Sequence, residues 1–150
     1  MSVYDISTDP ARLDIVLIHR WLSEQSYWAA GIPRDVIERA IANSINFGVY
    51  HDVAEQVGYA RVISDRATYA YLADVFVVEA HRGKGLSKQL MGAALAHPEL
   101  QGLRRWTLAT RDAHGLYEQF GFTLPKVPNR FMERLDPDVY TRQGAKTPGQ

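Results

Sequence analysis

The chain has 150 residues, 46% of them hydrophobic, which is typical of one soluble domain with its own core. Lys and Arg together number 17 and balance 17 Asp and Glu, so no overall charge favours binding to nucleic acid or to an anionic membrane. The absence of cysteine excludes disulfides, thiolate zinc sites and cysteine nucleophiles.

The hydropathy of the chain also bears on its location. Residues 1–10 lack the basic start and apolar core of a secretory signal. No apolar run approaches the ~20 residues that are needed to cross a bilayer. We therefore expect a cytoplasmic protein that makes no membrane contact.

The first half of the chain predicts a strand, two helices and a hairpin. A short β-prone stretch covers residues 3–6, and apolar residues at helical spacing follow over residues 13–21, with Asp9 or Asp14 as a candidate cap. A loop with two large aromatic side chains leads to a second helix over residues 33–44. Two strands joined by a turn near residues 51–54 come next.

The second half predicts a strand–helix–strand crossover followed by a short helix. Residues 68–78 form the longest apolar β run and predict a central strand. A helix starts at Leu86 and ends near His97, and residues 104–110 then predict another strand. A short helix over residues 112–120 ends before Gly121, which suits a left-handed helix terminus.

The C-terminal part completes the predicted domain. Residues 130–135 predict a last strand, and residues 141–150, which have no large apolar side chain, predict a flexible tail. The order β-α-α-β-β-β-α-β-α-β is typical of a mixed sheet in an α/β or α+β fold. We therefore expect a single domain over residues 1–140.

The segment "HRGKGLSKQL", residues 81–90, joins the central strand to the next helix. A helix N-terminus offers free amides and a partial positive charge, and glycines let an anion approach them. Arg82 and Lys84 add positive charge beside Gly83 and Gly85. The pattern predicts a site for a di- or polyphosphate, although a tight strand-to-helix turn explains the glycines equally well.

Three known glycine motifs do not fit this segment. A Walker loop needs four residues between its first glycine and a Gly-Lys-Ser/Thr triplet, and no such spacing occurs here. A Rossmann fingerprint needs a third glycine, but Lys88 occupies that position. A nucleophile elbow around Ser87 would need glycine where Gln89 stands.

With these motifs excluded, "VFVVEAHRGKGLSKQLM" resembles the acetyl-CoA signature of the GNAT (GCN5-related) N-acetyltransferase superfamily. In that family Arg/Gln-x-x-Gly-x-Gly/Ala opens a long helix after a strand that ends in a bulge. The six places are taken by Arg82, Gly83, Lys84, Gly85, Leu86 and Ser87. The last is serine where the family usually has glycine or alanine, and serine is still small.

A second segment, "DAHGLYEQFGF", resembles the family's short helix with a tyrosine and a following Gly-Phe. Tyr117 matches that tyrosine, and Ala113 matches the alanine four places earlier. Thr110 stands where the family commonly has an asparagine that binds pantetheine. The order of elements also matches the family, from the first strand to Leu135.

The resemblance implies the GNAT fold, a mostly antiparallel central sheet with one splayed parallel pair, flanked by about four helices. It implies direct transfer of acetyl from acetyl-CoA to an amine in a ternary complex, without an acyl-enzyme, and coenzyme A as the product. Amides of the 82–87 segment would hold the pyrophosphate. The backbone at Phe76, Val77 and Val78 would pair with pantetheine.

Catalytic roles follow from the same resemblance. Tyr117 is the expected acid that protonates the thiolate, and the N–H of Val78, at the bulge, is the expected donor to the oxyanion. Asp74 stands in an otherwise apolar strand. It is a candidate general base with a raised pKa, a binder of a cationic amine, or part of a hydrogen-bond network. Glu79 is a second candidate base or a plain surface residue.

The acceptor side is less specific in the sequence. Tyr27 and Trp28 either form an aromatic wall against the acceptor or anchor a loop. Arg130 is a candidate partner for an acceptor carboxylate. No metal site is expected, because the five histidines share no ligand spacing.

We therefore expect an N-acetyltransferase for a small-molecule amine, monomeric or homodimeric. A protein lysine or N-terminal acetyltransferase and a non-catalytic acyl-CoA-binding sensor are the alternatives.

Overall fold

A computed structural model describes residues 3–145 of the protein, with side chains for residues 3–142. Five strands form one sheet in the order of the sequence. The first four are antiparallel to their neighbours, and the last pair is parallel. The strands are β1 (Tyr4–Ser7), β2 (Ile45–His51), β3 (Glu55–Ser64), β4 (Tyr69–Val77) and β5 (Arg105–Leu108).

Five α-helices accompany the sheet, one more than the sequence predicts. They are α1 (Ile15–Gln25), α2 (Arg34–Ala42), α3 (Leu86–Ala96), α4 (His114–Glu118) and α5 (Val139–Ala145). Asp14 caps α1 by accepting a hydrogen bond from the N–H of Leu17 at 3.0 Å. Asp9, the other candidate cap, serves the short 3-10 turn Pro10–Arg12.

The sheet has a separate apolar core on each face. Because side chains alternate along a strand, Phe47 and Val49 face α3, and residues such as Leu90 and Met91 pack onto them. On the opposite face α1 and α2 contribute Ile18, Leu22, Ile37 and Ile41, which pack around Tyr59 and Phe76. Burying each such side chain stabilises the fold by about 1.5–3 kcal/mol.

The parallel strand pair separates part-way along β4, which confirms the predicted splay. Residues 69–72 of β4 pair with residues 105–108 of β5, and β5 ends there. From residue 73 to Val77, β4 has no strand beside it on that edge among residues 3–145. This open edge positions the site described below.

A β-bulge lies within β4, beside the splay. Asp74 and Val75 together oppose Ala60 of β3, between the pairs Arg61↔Ala73 and Tyr59↔Phe76. Asp74 has a φ of 56°, a left-handed conformation that Asp tolerates better than most residues. The bulge therefore lies at Asp74, not at Val78 as the resemblance implied.

The predicted sixth strand is wrong. Residues 131–136 form no strand, and side chains such as Met132, which is 96% exposed, lie on the surface. A short alternating pattern does not make a strand unless a neighbouring strand and an apolar layer receive it. The predicted tail starts at residue 141. Residues 141–145 belong to α5, and residues 146–150 lie outside the described residues.

Candidate functional site

The glycine loop, residues 82–85, joins a short 3-10 turn (Glu79–His81) to the start of α3. Gly83 and Gly85 have φ values of 78° and 76°, which side chains rarely allow. A β-carbon at either position would meet nothing within 4 Å. The loop therefore needs these glycines for its backbone conformation, because no packed neighbour excludes a side chain.

The glycine loop opens α3 without a side-chain cap. Gly85 is the N-cap residue of α3, and no side chain of residues 3–142 caps the first-turn amides there. These amides, with the partial positive charge of the helix terminus, can serve an external anion.

A cavity of about 270 Å³, the glycine-loop cavity, lies against this helix start. Its lining residues combine backbone, two bases and apolar side chains: Val77, His81, Arg82, Gly83, Gly85, Leu86, Ser87, Lys88 and Leu116. Six of these were predicted to bind the cofactor. Lys84 was predicted too, but Lys88, one helical turn further on, lines the cavity instead.

The backbone of β4 reaches the open edge at Val77. The N–H of Val78 donates to the carbonyl of Val57 in β3 at 2.8 Å, so it is used within the sheet and the predicted oxyanion donor is wrong. Phe76 pairs with Tyr59 in the same ladder. Alternate residues of a strand point to opposite neighbours, so of the three predicted backbone positions only Val77 faces the splay.

Tyr117 lies on α4 next to Leu116, which lines the glycine-loop cavity. Its side chain is 9% exposed, and burial, followed by the nearby Tyr27, raises the pKa of its phenol. Among the side chains and backbone of residues 3–142, no hydrogen bond to its hydroxyl is formed. A protonated phenol can donate a proton to a ligand that reaches it.

Thr110 has a local role in this region. Its hydroxyl oxygen accepts a hydrogen bond from the N–H of Ala113 at 3.0 Å. The interaction fixes the entry to α4 and so supports the position of Tyr117.

Both carboxylate oxygens of Asp74 have partners. Oδ2 accepts from Nε of Arg61 and Oδ1 from Nε1 of Trp28, each at 2.8 Å. Arg61 also donates to the hydroxyl of Ser44 at 3.1 Å. Of the three roles left open for Asp74, the hydrogen-bond network is the one whose partners the structure contains, and we call Trp28, Arg61 and Asp74 the Asp74 network.

The aromatic loop, residues 26–33 between α1 and α2, connects the two splayed strands. Trp28 reaches Asp74 on β4, while the hydroxyl of Tyr27 accepts from the N–H of Arg111, just after β5, at 3.1 Å. The guanidinium of Arg111 lies 4.0 Å from the Tyr27 ring centroid. Tyr27 and Trp28 stay 51% and 42% exposed, so they anchor the loop and also present an aromatic surface.

Sequence similarity decides the family. Residues 43–124, more than half of the chain, match the family described as "Acetyltransferase (GNAT) domain". The chain belongs to the GNAT family of acetyltransferases. The matched residues contain the glycine loop and Tyr117, whereas the aromatic loop precedes them.

Relatives of the GNAT protein agree with this assignment. A Gibberella zeae protein that carries the name of an acetyltransferase is 34% identical, and the match covers 76% of this chain and 75% of the relative. A crystal structure of a GNAT-family protein from Xanthomonas campestris pv. campestris is 55% identical, with coverage of 94% and 99% and a TM-score of 0.90.

A more distant structure shares the fold alone. Glucosamine-6-phosphate N-acetyltransferase from Arabidopsis thaliana is 14% identical, with coverage of 89% and 99% and a TM-score of 0.64. None of the helices in residues 3–145 is long and apolar enough to cross a membrane.

The residues of this GNAT chain fit the acyl-CoA that the family implies. Free amides at the start of α3, with Arg82 and Lys88 beside them, suit a pyrophosphate. The unpaired edge of β4 at Val77 suits an extended amide-containing arm. Both features meet at one cavity, so the residues present match the group in charge and in hydrogen-bonding groups.

The face of the sheet covered by α1 and α2 contains a second, smaller cavity. The inter-helix cavity, of about 50 Å³, lies between α1, α2 and the sheet, with Arg61 and Asp74 at its polar part and Tyr140 of α5 also lining it. Burial raises the pKa of Tyr59, another lining residue. Arg130 lies in an exposed 3-10 turn and makes no ion pair in residues 3–142, and the structure shows no contact between it and Tyr27 or Trp28.

Proposed function

We propose that this protein transfers acetyl directly from acetyl-CoA to the amine of a small-molecule acceptor, with coenzyme A as the product. The observation that carries the proposal is the junction of the glycine loop with the open edge of β4. The uncapped start of α3 and the open edge of β4 at Val77 meet at one cavity, and Leu116, which lines it, directly precedes Tyr117 in the sequence.

The pyrophosphate of acetyl-CoA lies, in this proposal, against the amides of Gly83, Gly85 and Leu86. Lys88 and Arg82 add positive charge, and Nε of Arg82 is held by the carbonyl of Val77 at 3.0 Å. The hydroxyl of Ser87 is available in the first turn of α3. The N–H of Val77 is the backbone donor for the pantetheine arm.

When bound, acetyl-CoA supplies an activated thioester whose acetyl group the amine accepts. We assign Tyr117 the task of holding a proton at its hydroxyl for the departing thiolate. Because burial raises the pKa of this phenol, it stays protonated at neutral pH. The phenol needs no partner within the protein to do so.

The Asp74 network is proposed to position the acceptor wall. An aspartate that accepts from both Arg61 and Trp28 fixes the indole on the splayed strand. Trp21 stacks on Phe76 with ring centroids 4.3 Å apart, and Trp28 packs against Trp21. We therefore assign Asp74 a positioning role and leave proton removal from the amine to another group.

A small acceptor fits this side better than a protein tail. The aromatic loop crosses the mouth of the splay and is tied down at both Tyr27 and Trp28. The net charge of zero gives no overall electrostatic attraction for a lysine-rich peptide. The exposed rings can stack on a small cation or an aromatic amine.

The test is release of free thiol from acetyl-CoA in the presence of amines, polyamines, amino acids and peptides. We expect turnover with at least one small amine and a large loss in Tyr117→Phe. Turnover confined to peptides would instead support the protein acetyltransferase. Tight acetyl-CoA binding without turnover on any acceptor would support the sensor.

A further inference from the structure

Three potential metal ligands converge at the end of the sheet next to the glycine loop. His51, Glu55 and His81 each offer one ligand atom, and these atoms lie within 4.8 Å of one another. His51 ends β2, Glu55 begins β3, and His81 ends the 3-10 turn that follows β4. Three separate segments therefore meet at this point.

The register of the sheet holds this group together. His51 pairs with Glu55 across the β2–β3 hairpin and with Tyr4 across β1 and β2. Residues directly opposite each other on neighbouring strands have close side chains. The rings of His51 and His81 lie 4.9 Å apart, so the backbone presets most of the geometry.

The two distances that join Glu55 to the histidines suit a single ion. Oε1 of Glu55 lies 3.4 Å from Nε2 of His81 and 3.6 Å from Nδ1 of His51. Metal–ligand bonds of about 2.0–2.1 Å at tetrahedral angles place neighbouring ligand atoms about 3.3–3.4 Å apart. Glu55 is exposed and can adjust, whereas His51 and His81 are mostly buried.

In each histidine, the ring nitrogen that points away from Glu55 lies close to an oxygen atom of another residue. Nδ1 of His81 hydrogen-bonds to the hydroxyl of Tyr4 at 2.8 Å, and Nε2 of His51 lies 3.5 Å from Oδ2 of Asp52. Metal-bound histidines commonly donate their second N–H to an oxygen, which fixes the tautomer and directs the other lone pair to the metal. His81 therefore has the hydrogen bond to its second nitrogen that is common in metal sites, and His51 has a carboxylate close to its second nitrogen.

Sequence spacing alone does not reveal this group. His51 and Glu55 are four residues apart, which on a helix would be a familiar ligand spacing, but here they flank a hairpin turn. His81 joins them only through the path of β4. The expectation of no metal site rested on that spacing.

We propose that His51 Nδ1, Glu55 Oε1 and His81 Nε2 bind one divalent transition-metal ion, with Zn²⁺ as the representative. Two imidazoles and one carboxylate favour such ions over Mg²⁺ or Ca²⁺, and three protein ligands leave a position for water. His81 directly precedes Arg82 and also lines the glycine-loop cavity. The ion would tie the β2–β3 hairpin to the start of the glycine loop, whether or not the protein transfers acetyl groups.

Calorimetric titration of the chelator-treated full chain with Zn²⁺ tests this proposal. We expect one ion per chain, little response to Mg²⁺, and at least tenfold weaker Zn²⁺ binding in His51→Asn and in Glu55→Gln. Tyr4→Phe, which removes an outer contact, is expected to weaken binding about tenfold. The matched controls are His114→Asn and Glu38→Gln, at exposed positions outside the group, which should bind as the wild type does.

A second measurement needs no variant. A crystal of the wild type grown with Zn²⁺ should show an anomalous peak between the three side chains, and Co²⁺ should give visible absorption bands of a protein-bound ion. Absence of that peak, or wild-type binding no tighter than that of the His51→Asn/Glu55→Gln double variant, would overturn the proposal.

Discussion

The two sides of the splayed strand pair differ in how they are built. One side uses mainly the backbone of one local stretch of chain, and the other uses side chains that are distant in sequence. On the α3 side, residues 77–88 form one continuous stretch whose backbone amides, glycines and bases line a cavity of about 270 Å³. On the side of the aromatic loop, the contacts are made by side chains that are distant in sequence, as between Trp28 and Asp74, 46 residues apart. The first side depends on local conformation, and the second on a network that tertiary packing assembles.

The two sides should therefore tolerate different amino-acid substitutions. A backbone site is insensitive to most side chains but depends on the few glycines that give it a left-handed conformation. A side-chain network depends on each partner, because removing one leaves another polar group unpaired near the core. Substitutions on the two sides should therefore change different observables.

The largest expected effect comes from Tyr117→Phe. Loss of the proposed proton donor should lower kcat by about 100-fold or more. The change keeps the ring, so acetyl-CoA affinity should stay within about twofold. Steady-state kinetics and calorimetric titration of the same preparation provide the two values.

The pH dependence sharpens the prediction for Tyr117. Burial raises the pKa of this phenol above its ordinary value of about 10, so Tyr117 keeps its proton to a higher pH than a solvent-exposed tyrosine does. Between pH 8 and 9.5, kcat of the wild type and kcat of Tyr117→Phe should therefore change with pH in the same way. A kcat for Tyr117→Phe equal to that of the wild type would remove its acid role.

The next largest effect is expected from Asp74→Asn. The variant keeps an oxygen for Trp28 and a side chain that tolerates the left-handed bulge, but it loses the ion pair with Arg61. Because both partners are mostly buried, unfolding free energy should fall by about 2 kcal/mol. Denaturant titration measures this change.

Glu38→Gln is the matched control for Asp74→Asn. Its partner Arg34 lies four residues away on the exposed face of α2. We expect a loss below about 0.5 kcal/mol. Equal losses in the two variants would mean that the Asp74 network has no special role.

Acceptor KM should rise in Asp74→Asn while acetyl-CoA affinity is unchanged.

Smaller effects are expected from alanine at two glycines of the same region. Gly85 has a φ of 76°, so Gly85→Ala should cost about 1 kcal/mol of unfolding free energy. Gly92 lies inside α3 with open space around its Cα, so Gly92→Ala should stabilise by about 0.5–1 kcal/mol. The test is whether the two changes in unfolding free energy have opposite signs, and thermal unfolding of both variants measures them.

The sequence predicted the position of the glycine loop well because its signals are local. Glycines after an apolar strand and before a helical pattern determine the loop, and the first four helices and five strands follow from periodicity. The sequence did not indicate Lys88, because Arg82 and Lys84 flank the glycines and favoured a site within the loop itself. In the structure the first turn of α3, which contains Lys88, faces the cavity. An exposed base in the first turn of α3 was the available signal.

The contacts around the aromatic loop could not be predicted in the same detail. Asp74 was noticed as a polar residue in an apolar strand, but its partners Arg61 and Trp28 depend on a bulge whose position no local pattern specifies. The strand predicted over residues 130–135 failed for the same reason, since a strand needs a neighbour that the pattern does not reveal. The convergence of His51, Glu55 and His81 likewise depends on the path of three separate segments.

The most direct test of the central claim is calorimetric titration of acetyl-CoA into the wild type, Gly85→Asn and Gly85→Asp. Asn and Asp have the same shape and both tolerate a positive φ, so the pair differs mainly by one negative charge beside the amides of α3. If those amides bind the pyrophosphate, the wild type binds one acetyl-CoA and Gly85→Asp binds at least tenfold more weakly than Gly85→Asn. Equal affinities of the two variants, or no binding by the wild type, would contradict the claim.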